Sequence, residues 1–151
     1  MKECPKKYCF FNAIAVFLFM FIYEKVLHHN LLRGMYQQTA ALWRPKEEMM
    51  HMMPWMLLRY ALLALLIACI WSKFKGAMCS TSAKAESFCP HKYGLVFGLK
   101  LGLFMALIGS CMYIHMPIPL EMATAWFLAS IVEGIGIGVV LGMLCGLLKK
   151  E

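Results

Sequence analysis

In this chain of 151 residues, hydrophobic residues make up 62% and charged residues only 15%. An ordinary soluble domain is about 25% charged, so a soluble fold of this composition lacks the polar surface to face water, whereas a lipid bilayer removes the need for it. The net charge of +7 does not point to nucleic acid, because the basic residues gather outside the apolar stretches, where they set topology and meet anionic lipid.

A helix needs about 20 mostly apolar residues to cross a hydrocarbon core of roughly 30 Å. The first such stretch, Cys9 to Ile22, follows Lys6 and Lys7 and runs into Tyr23-Glu24-Lys25 without a small-residue cleavage motif. It therefore predicts an uncleaved first helix. Four spans are expected in all, over about 9–27, 54–72, 93–115 and 121–148. They imply an all-α polytopic bundle, a single membrane domain with an outer loop over 28–53 and a cytoplasmic loop over 73–92. Aromatic residues mark the expected interfaces: Tyr8, Trp71 and Tyr93 at one surface, Tyr23, Trp55, Tyr113 and Trp126 near the other. Nine lysines lie in the N-terminus, the middle loop and the C-terminus, against Arg33, Arg44 and Lys46 in the first outer loop and none around Met116 to Leu120. This bias places both termini in the cytoplasm.

Within helix one, Glu24 and Lys25 lie near the outer end. In the loop beyond, His28, Leu32, Met35, Tyr36, Thr39, Leu42 and Trp43 recur at helical spacing, with Arg33, Gln37, Gln38 and Arg44 elsewhere on the wheel. That pattern predicts a short amphipathic helix lying in the interface and stopped by Pro45, the alternative being a plain polar loop. Met49-Met50-His51-Met52-Met53, with Met56 beyond and His28 and His29 nearby, offers soft ligands suited to Cu(I). Methionine is frequent throughout the chain, with 14 residues, and also fills gaps in cores. The expectation is no metal, with His28, His29, Met49, Met50, His51, Met52 and Met53 as weak candidates, and no cofactor.

Arg59 in helix two lies roughly 7–8 Å below the outer boundary at about 1.5 Å per residue. That is a depth similar to Glu24, and an ion pair between them is expected. The segment from Ser72 to Pro90 is polar, rich in Ser, Ala and Lys, and expected to be mobile. Lys100 in helix three lies about two turns in, within reach of the headgroups by snorkelling.

Helix three carries Gly94, Gly98, Gly102, Ala106 and Ser110 at steps of four. Helix four carries Ser130, Gly134, Gly138, Gly142 and Gly146 at the same step. Such ridges let backbones approach closely where lipid offers no hydrophobic drive for association. Either the two ridges pack on each other, or one faces a second copy or a partner subunit. Gly136 sits off the ridge, where it is expected to loosen the helix.

Glu133 lies near the bilayer middle, on the order of 18 Å from the outer surface. A carboxylate there must be paired or carried as the neutral acid. Arg59, Tyr60, Ser110 and Tyr113 are the expected polar neighbours. Helices two and four also open alike, with Pro45-Lys46-Glu47-Glu48-Met49 before Trp55 and Pro119-Leu120-Glu121-Met122 before Trp126. Two related hairpins and convergence on one interface chemistry both account for this.

The seven cysteines form no CxxC pair. Cys4, Cys9, Cys79, Cys89 and His91 fall on the expected cytoplasmic side at spacings that match no zinc site, and are expected as thiols. A quinone-linked thiol oxidase would want paired cysteines on the oxidising side, which the sequence does not offer. His28, His29 and Glu24 cluster at the outer interface without a nucleophile–base pair, so a membrane enzyme ranks third among the functional expectations.

The stretch Tyr36-Gln37-Gln38-Thr39-Ala40-Ala41-Leu42-Trp43-Arg44-Pro45, then Glu48-Met49 and Trp55, resembles a set of small bacterial four-helix integral membrane proteins of unknown function. The likeness extends to Pro117-Ile118-Pro119 and Ala125-Trp126-Phe127 and covers most of the chain. It implies a bacterial inner-membrane protein with a defined outer loop, and no activity. The methionine–histidine cluster is not part of it. The leading expectation is a non-catalytic membrane protein, a bundle that packs with itself or serves as an accessory subunit. The alternative is a small oligomeric proton- or cation-coupled transporter using Glu133.

Overall fold

Apolar stretches long enough to cross a bilayer become helices because lipid cannot satisfy backbone polar groups. The computed structural model describes residues 6–81 and 90–148. Helix α1 (Lys6–Val26) continues through a widened π turn (Leu27–Leu31) into α2 (Arg33–Gln38). A 3₁₀ turn (Ala40–Leu42) and α3 (Lys46–His51) lead to α4 (Met53–Thr81), α5 (Pro90–His115) and α6 (Leu120–Leu148). Among the described residues there is no strand. Four segments are long and apolar enough to cross a membrane: Cys9–Leu31, Met53–Lys75, Pro90–His115 and Leu120–Leu147. The chain is an all-α, multi-pass membrane protein.

The helices form two antiparallel pairs, α1 with α4 and α5 with α6, joined through contacts of α1 with α6. The shared core takes Val16 and Met20 from α1, Tyr60, Ala64, Ile67 and Trp71 from α4, Phe97 from α5, and Ile137, Leu141 and Cys145 from α6. On α4 the buried positions follow steps of three and four, one stripe of a 3.6-residue helix. Trp71 closes the seam between α4 and α5, edge-on to Phe97 at 5.2 Å and stacked on Phe74 at 6.0 Å.

The α5–α6 pair is the tightest contact. A Cβ added at Gly98 would stand 2.5 Å from the Gly134 carbonyl oxygen and 2.9 Å from Gly138 Cα. One at Gly102 would stand 2.7 Å from the Ile131 carbonyl oxygen. Gly94 faces the Gly138 carbonyl oxygen, and Gly134 faces Gly102 Cα. The two ridges therefore meet each other inside one chain. Gly136 lies off the ridge and is the seat of the Phe19 ring, whose Cζ occupies the place of its missing Cβ. It joins α1 to α6 rather than merely loosening α6.

Several boundaries differ from expectation. Helix α4 runs to Thr81, so much of the polar segment after Ser72 is helical. Residues 82–89 lie outside the described residues, as do Lys2, Cys4, Lys149 and Lys150. Helix α5 starts at Pro90, because proline has no N–H to lose at a first helical position. The first outer loop is not one amphipathic helix stopped by Pro45. Thr39 leaves the helix at φ −109°, ψ 23°, and its hydroxyl donates to the Met35 carbonyl at 2.8 Å. Trp43 is extended at φ −104°, ψ 151°. Pro45, at φ −52°, ψ 147°, caps the start of α3. These short elements form a cap over the α1/α6 end, hereafter the capped end; the opposite end carries Lys73, Lys75 and Lys92.

Candidate functional site

The cap is fastened by a string of polar contacts. Glu24 and His28 are one turn apart at the end of α1, and Glu24 Oε2 lies 2.6 Å from His28 Nε2. The π turn, closed by the Leu32 N–H on the Leu27 carbonyl at 3.0 Å, brings Tyr36 back over His28. Tyr36 Oη lies 2.6 Å from His28 Nδ1. From α6, Trp126 Nε1 donates to the same Oη at 3.1 Å.

An indole N–H only donates, so Tyr36 Oη accepts from Trp126, and with His28 as the neutral tautomer that donates to Glu24 the phenol gives its own proton to His28 Nδ1. His28 Nε2 then carries the ring proton and donates to Glu24. Around this string the rings of Tyr36, Trp43 and Trp126 pack mutually, at 5.2 Å for Tyr36–Trp43 and 5.9 Å for Trp43–Trp126. Trp43 Nε1 donates to Thr39 Oγ1 at 2.8 Å. The residues expected to form a lipid-facing stripe thus turn inward onto α6, because three large rings bury more area against each other than against the interface.

The connectivity Glu24–His28–Tyr36 is that of an acid–base triad with a phenol in the nucleophile's place. Burial decides against that use. It pushes the Tyr36 hydroxyl up to about 12, with the Glu24 charge adding to the rise and the Trp126 hydrogen bond opposing it. A phenol that keeps its proton to that pH is a hydrogen-bond post, not a nucleophile at neutral pH.

Glu133 lies thirteen residues into α6, about 20 Å along the helix at 1.5 Å per residue. It is 2% exposed, and its Oε1 has no hydrogen-bond partner among the described residues. Glu24 and Arg59 both lie within Coulombic range of it. Tyr23 and Tyr60 each lie within range of both Glu24 and Glu133. One turn before Glu133, the Ala129 carbonyl accepts from Tyr23 Oη at 2.8 Å. The structure therefore gathers Glu24, Glu133, Arg59, Tyr23 and Tyr60 at the capped half of the α1/α4/α6 junction.

Other sequence-derived candidates fall elsewhere. The expected Glu24–Arg59 ion pair is not formed: Glu24 takes His28, one turn away on its own helix, and Arg59 lies over the Tyr60 ring at 4.8 Å. Ser110 donates to the Leu107 carbonyl of its own helix at 2.7 Å, and Tyr113 is exposed. Lys100 is exposed on α5. His29, Met49, Met50, His51, Met52 and Met53 are all exposed, while His28 has both ring nitrogens engaged. Among the described residues no three His, Cys, Asp or Glu side chains gather as a metal site.

Two features escape a reading of the sequence. Asn12 on α1 is 6% exposed, its Oδ1 has no hydrogen-bond partner among the described residues, and an isolated asparagine in an apolar stretch was its only signal. Cys9 on α1 and Cys69 on α4 meet with their sulfurs 3.6 Å apart, across a sequence separation that no motif spans.

Comparisons with protein-family models, curated proteins and solved structures find no match. The functional reading therefore rests on this geometry.

Proposed function

We propose that the chain is a non-catalytic protein of a bacterial inner membrane, with both termini in the cytoplasm, acting as a self-associating bundle or as an accessory subunit of a larger membrane assembly. The observation that carries this reading is the state of the Glu24–His28–Tyr36 string. Its one potential nucleophile is held as a phenol between His28 and Trp126, so the string fastens the cap to α6. Its interacting partners are lipid and other membrane helices, not nucleic acid. The large apolar faces of α4 and α5, with Leu62, Leu66, Phe104 and Ile108 exposed, are available to either.

Photo-crosslinking from Leu66 and from Phe104 in native membranes tests it. The expected result is a discrete adduct, identified by mass spectrometry as a second copy of the 17.2-kDa chain or as one defined membrane protein. Lipid adducts alone at both positions would sink the proposal.

Glu133 favours a second reading, a small oligomeric proton- or cation-coupled transporter. A carboxyl group at mid-membrane depth whose buried oxygen has no partner among the described residues is costly unless it binds something, a proton being the simplest occupant. Proton flux into proteoliposomes that is present in the wild type and lost in Glu133→Gln, at unchanged oligomeric mass, would support transport. Equal flux in both would leave the bundle alone.

A further inference from the structure

Cys9 and Cys69 are brought together by the packing of α1 on α4, with Sγ atoms 3.6 Å apart and one thiol donating to the other. A disulfide needs about 2.05 Å between sulfurs. The gap to close is about 1.6 Å. Both residues sit close to the lysine-rich end: Cys9 is three residues into α1, and Lys73 follows Cys69 by one turn within Coulombic range.

The pair opens onto lipid rather than water. Cys69 is exposed on a helix face whose neighbours Leu65, Leu66 and Ile70 are exposed apolar side chains, and Phe10 beside Cys9 is exposed as well. An oxidant reaching these sulfurs must dissolve in the hydrocarbon and take two electrons at once, which is the chemistry of a membrane quinone. Cys111 and Cys145 are differently placed. Cys111 directs its thiol to the Leu107 carbonyl of its own helix, and Cys145 is buried in the core.

We propose that Cys9 and Cys69 form a redox-active dithiol on the lipid-facing seam of α1 and α4, oxidised to a disulfide by a membrane-dissolved quinone. The thiolate of one residue adds to the quinone, and the thiolate of the other attacks the sulfur of that adduct, so that the Sγ–Sγ bond forms as the sulfur–quinone bond breaks and both thiol protons are given up. The two electrons and two protons pass to the quinone, which leaves as quinol. The bond ties α1 covalently to α4 across the first hairpin.

The test uses the full-length protein, reduced and then held without oxygen in nanodiscs that contain a long-chain quinone. The expected result is one quinol formed per chain, together with a cross-linked Cys9–Cys69 peptide after alkylation and digestion, while Cys111 and Cys145 remain alkylated. Cys9→Ser and Cys69→Ser should each abolish both readouts. Cys69 faces lipid, so Cys69→Ser keeps the fold, and its retained far-ultraviolet dichroism verifies this. Full alkylation of Cys9 and Cys69 after quinone exposure would overturn the proposal. So would quinol formation that persists in either serine variant, or a cross-link that joins other cysteines.

Discussion

The contact between α5 and α6 makes a graded prediction. A methyl group at Gly98 starts 2.5 Å from the Gly134 carbonyl oxygen, and ordinary contact begins at 3.4 Å, so the two backbones must part by about 0.9 Å. Neither obstacle is a side chain that can swing away. A gap of 0.5–1 Å already forfeits a quarter to a half of each dispersion contact along a seam, and overpacking of this kind costs about 1–3 kcal/mol. Gly109, on the same helix, has nothing within 4 Å of an added Cβ. There alanine gains about 0.5–1 kcal/mol from helix propensity alone. The expected difference between Gly98→Ala and Gly109→Ala is thus about 1.5–4 kcal/mol, measured by steric trapping or by unfolding in mixed micelles. On α6 the penalty should be largest at Gly134, which faces Gly102 Cα and N, and at Gly138, which faces the Gly94 carbonyl oxygen. It should be smaller at Gly142, 2.9 Å from the Pro90 carbonyl oxygen, and least at Gly146, 3.4 Å from a His91 side-chain atom. Equal stability of Gly98→Ala and Gly109→Ala, or a reversed order along α6, would refute the reasoning.

Tyr36→Phe removes the donor to His28 Nδ1 and the acceptor of Trp126 Nε1, so a loss of about 1–3 kcal/mol is expected, with red-shifted tryptophan emission as the cap loosens. In alkaline titration followed by tyrosinate absorbance, the step near pH 12 should vanish in that variant. Because folding raises this phenol above its ordinary 10.0, its stabilisation is complete below about pH 10 and is lost as pH rises through about 12. Gly136→Ala should destabilise in thermal unfolding, and Phe19→Leu should restore it by clearing the ring; Gly98→Ala has no such single-residue rescue. In nanodisc native mass spectrometry, Gly138→Leu should unfold the chain rather than dissociate a folded oligomer; a folded, lower-mass species would contradict the internal ridge.

The four spans were legible because apolar length and a scarcity of charge are properties of single segments. The two glycine ridges were legible as ridges because a four-residue step keeps one face of a helix. What they face was not, since period alone cannot say whether the complementary surface lies in the same chain. The inward turn of Tyr36 and Trp43 was hidden for a related reason. Their spacing fits an interfacial helix equally well, and only the π turn at Leu27–Leu31 and the break at Thr39 redirect them onto Trp126. Glu24 was paired by depth with Arg59, yet a histidine one turn away on its own helix is a nearer partner than any residue across a helix interface. Gly136 and Asn12 each depend on one contact from another helix, and the Cys9–Cys69 approach depends on the α1–α4 crossing.

Because both ridges are consumed within the α5–α6 pair, any association of this chain must use surfaces other than these ridges. The same close packing leaves the outward faces of α4 and α5 populated by leucine, isoleucine and phenylalanine, side chains to which lipid tails are as good a neighbour as another helix. Specificity on such a face has to come from its few polar or reactive members. Arg59 stacked on Tyr60 and Cys69 on α4, with Lys100, Cys111 and Tyr113 on α5, are among those members. Glu133 is not available to an outside partner at all. With 2% exposure, whatever it binds must arrive through the junction of α1, α4 and α6, so a proton reaches it where a larger ligand would have to part the helices.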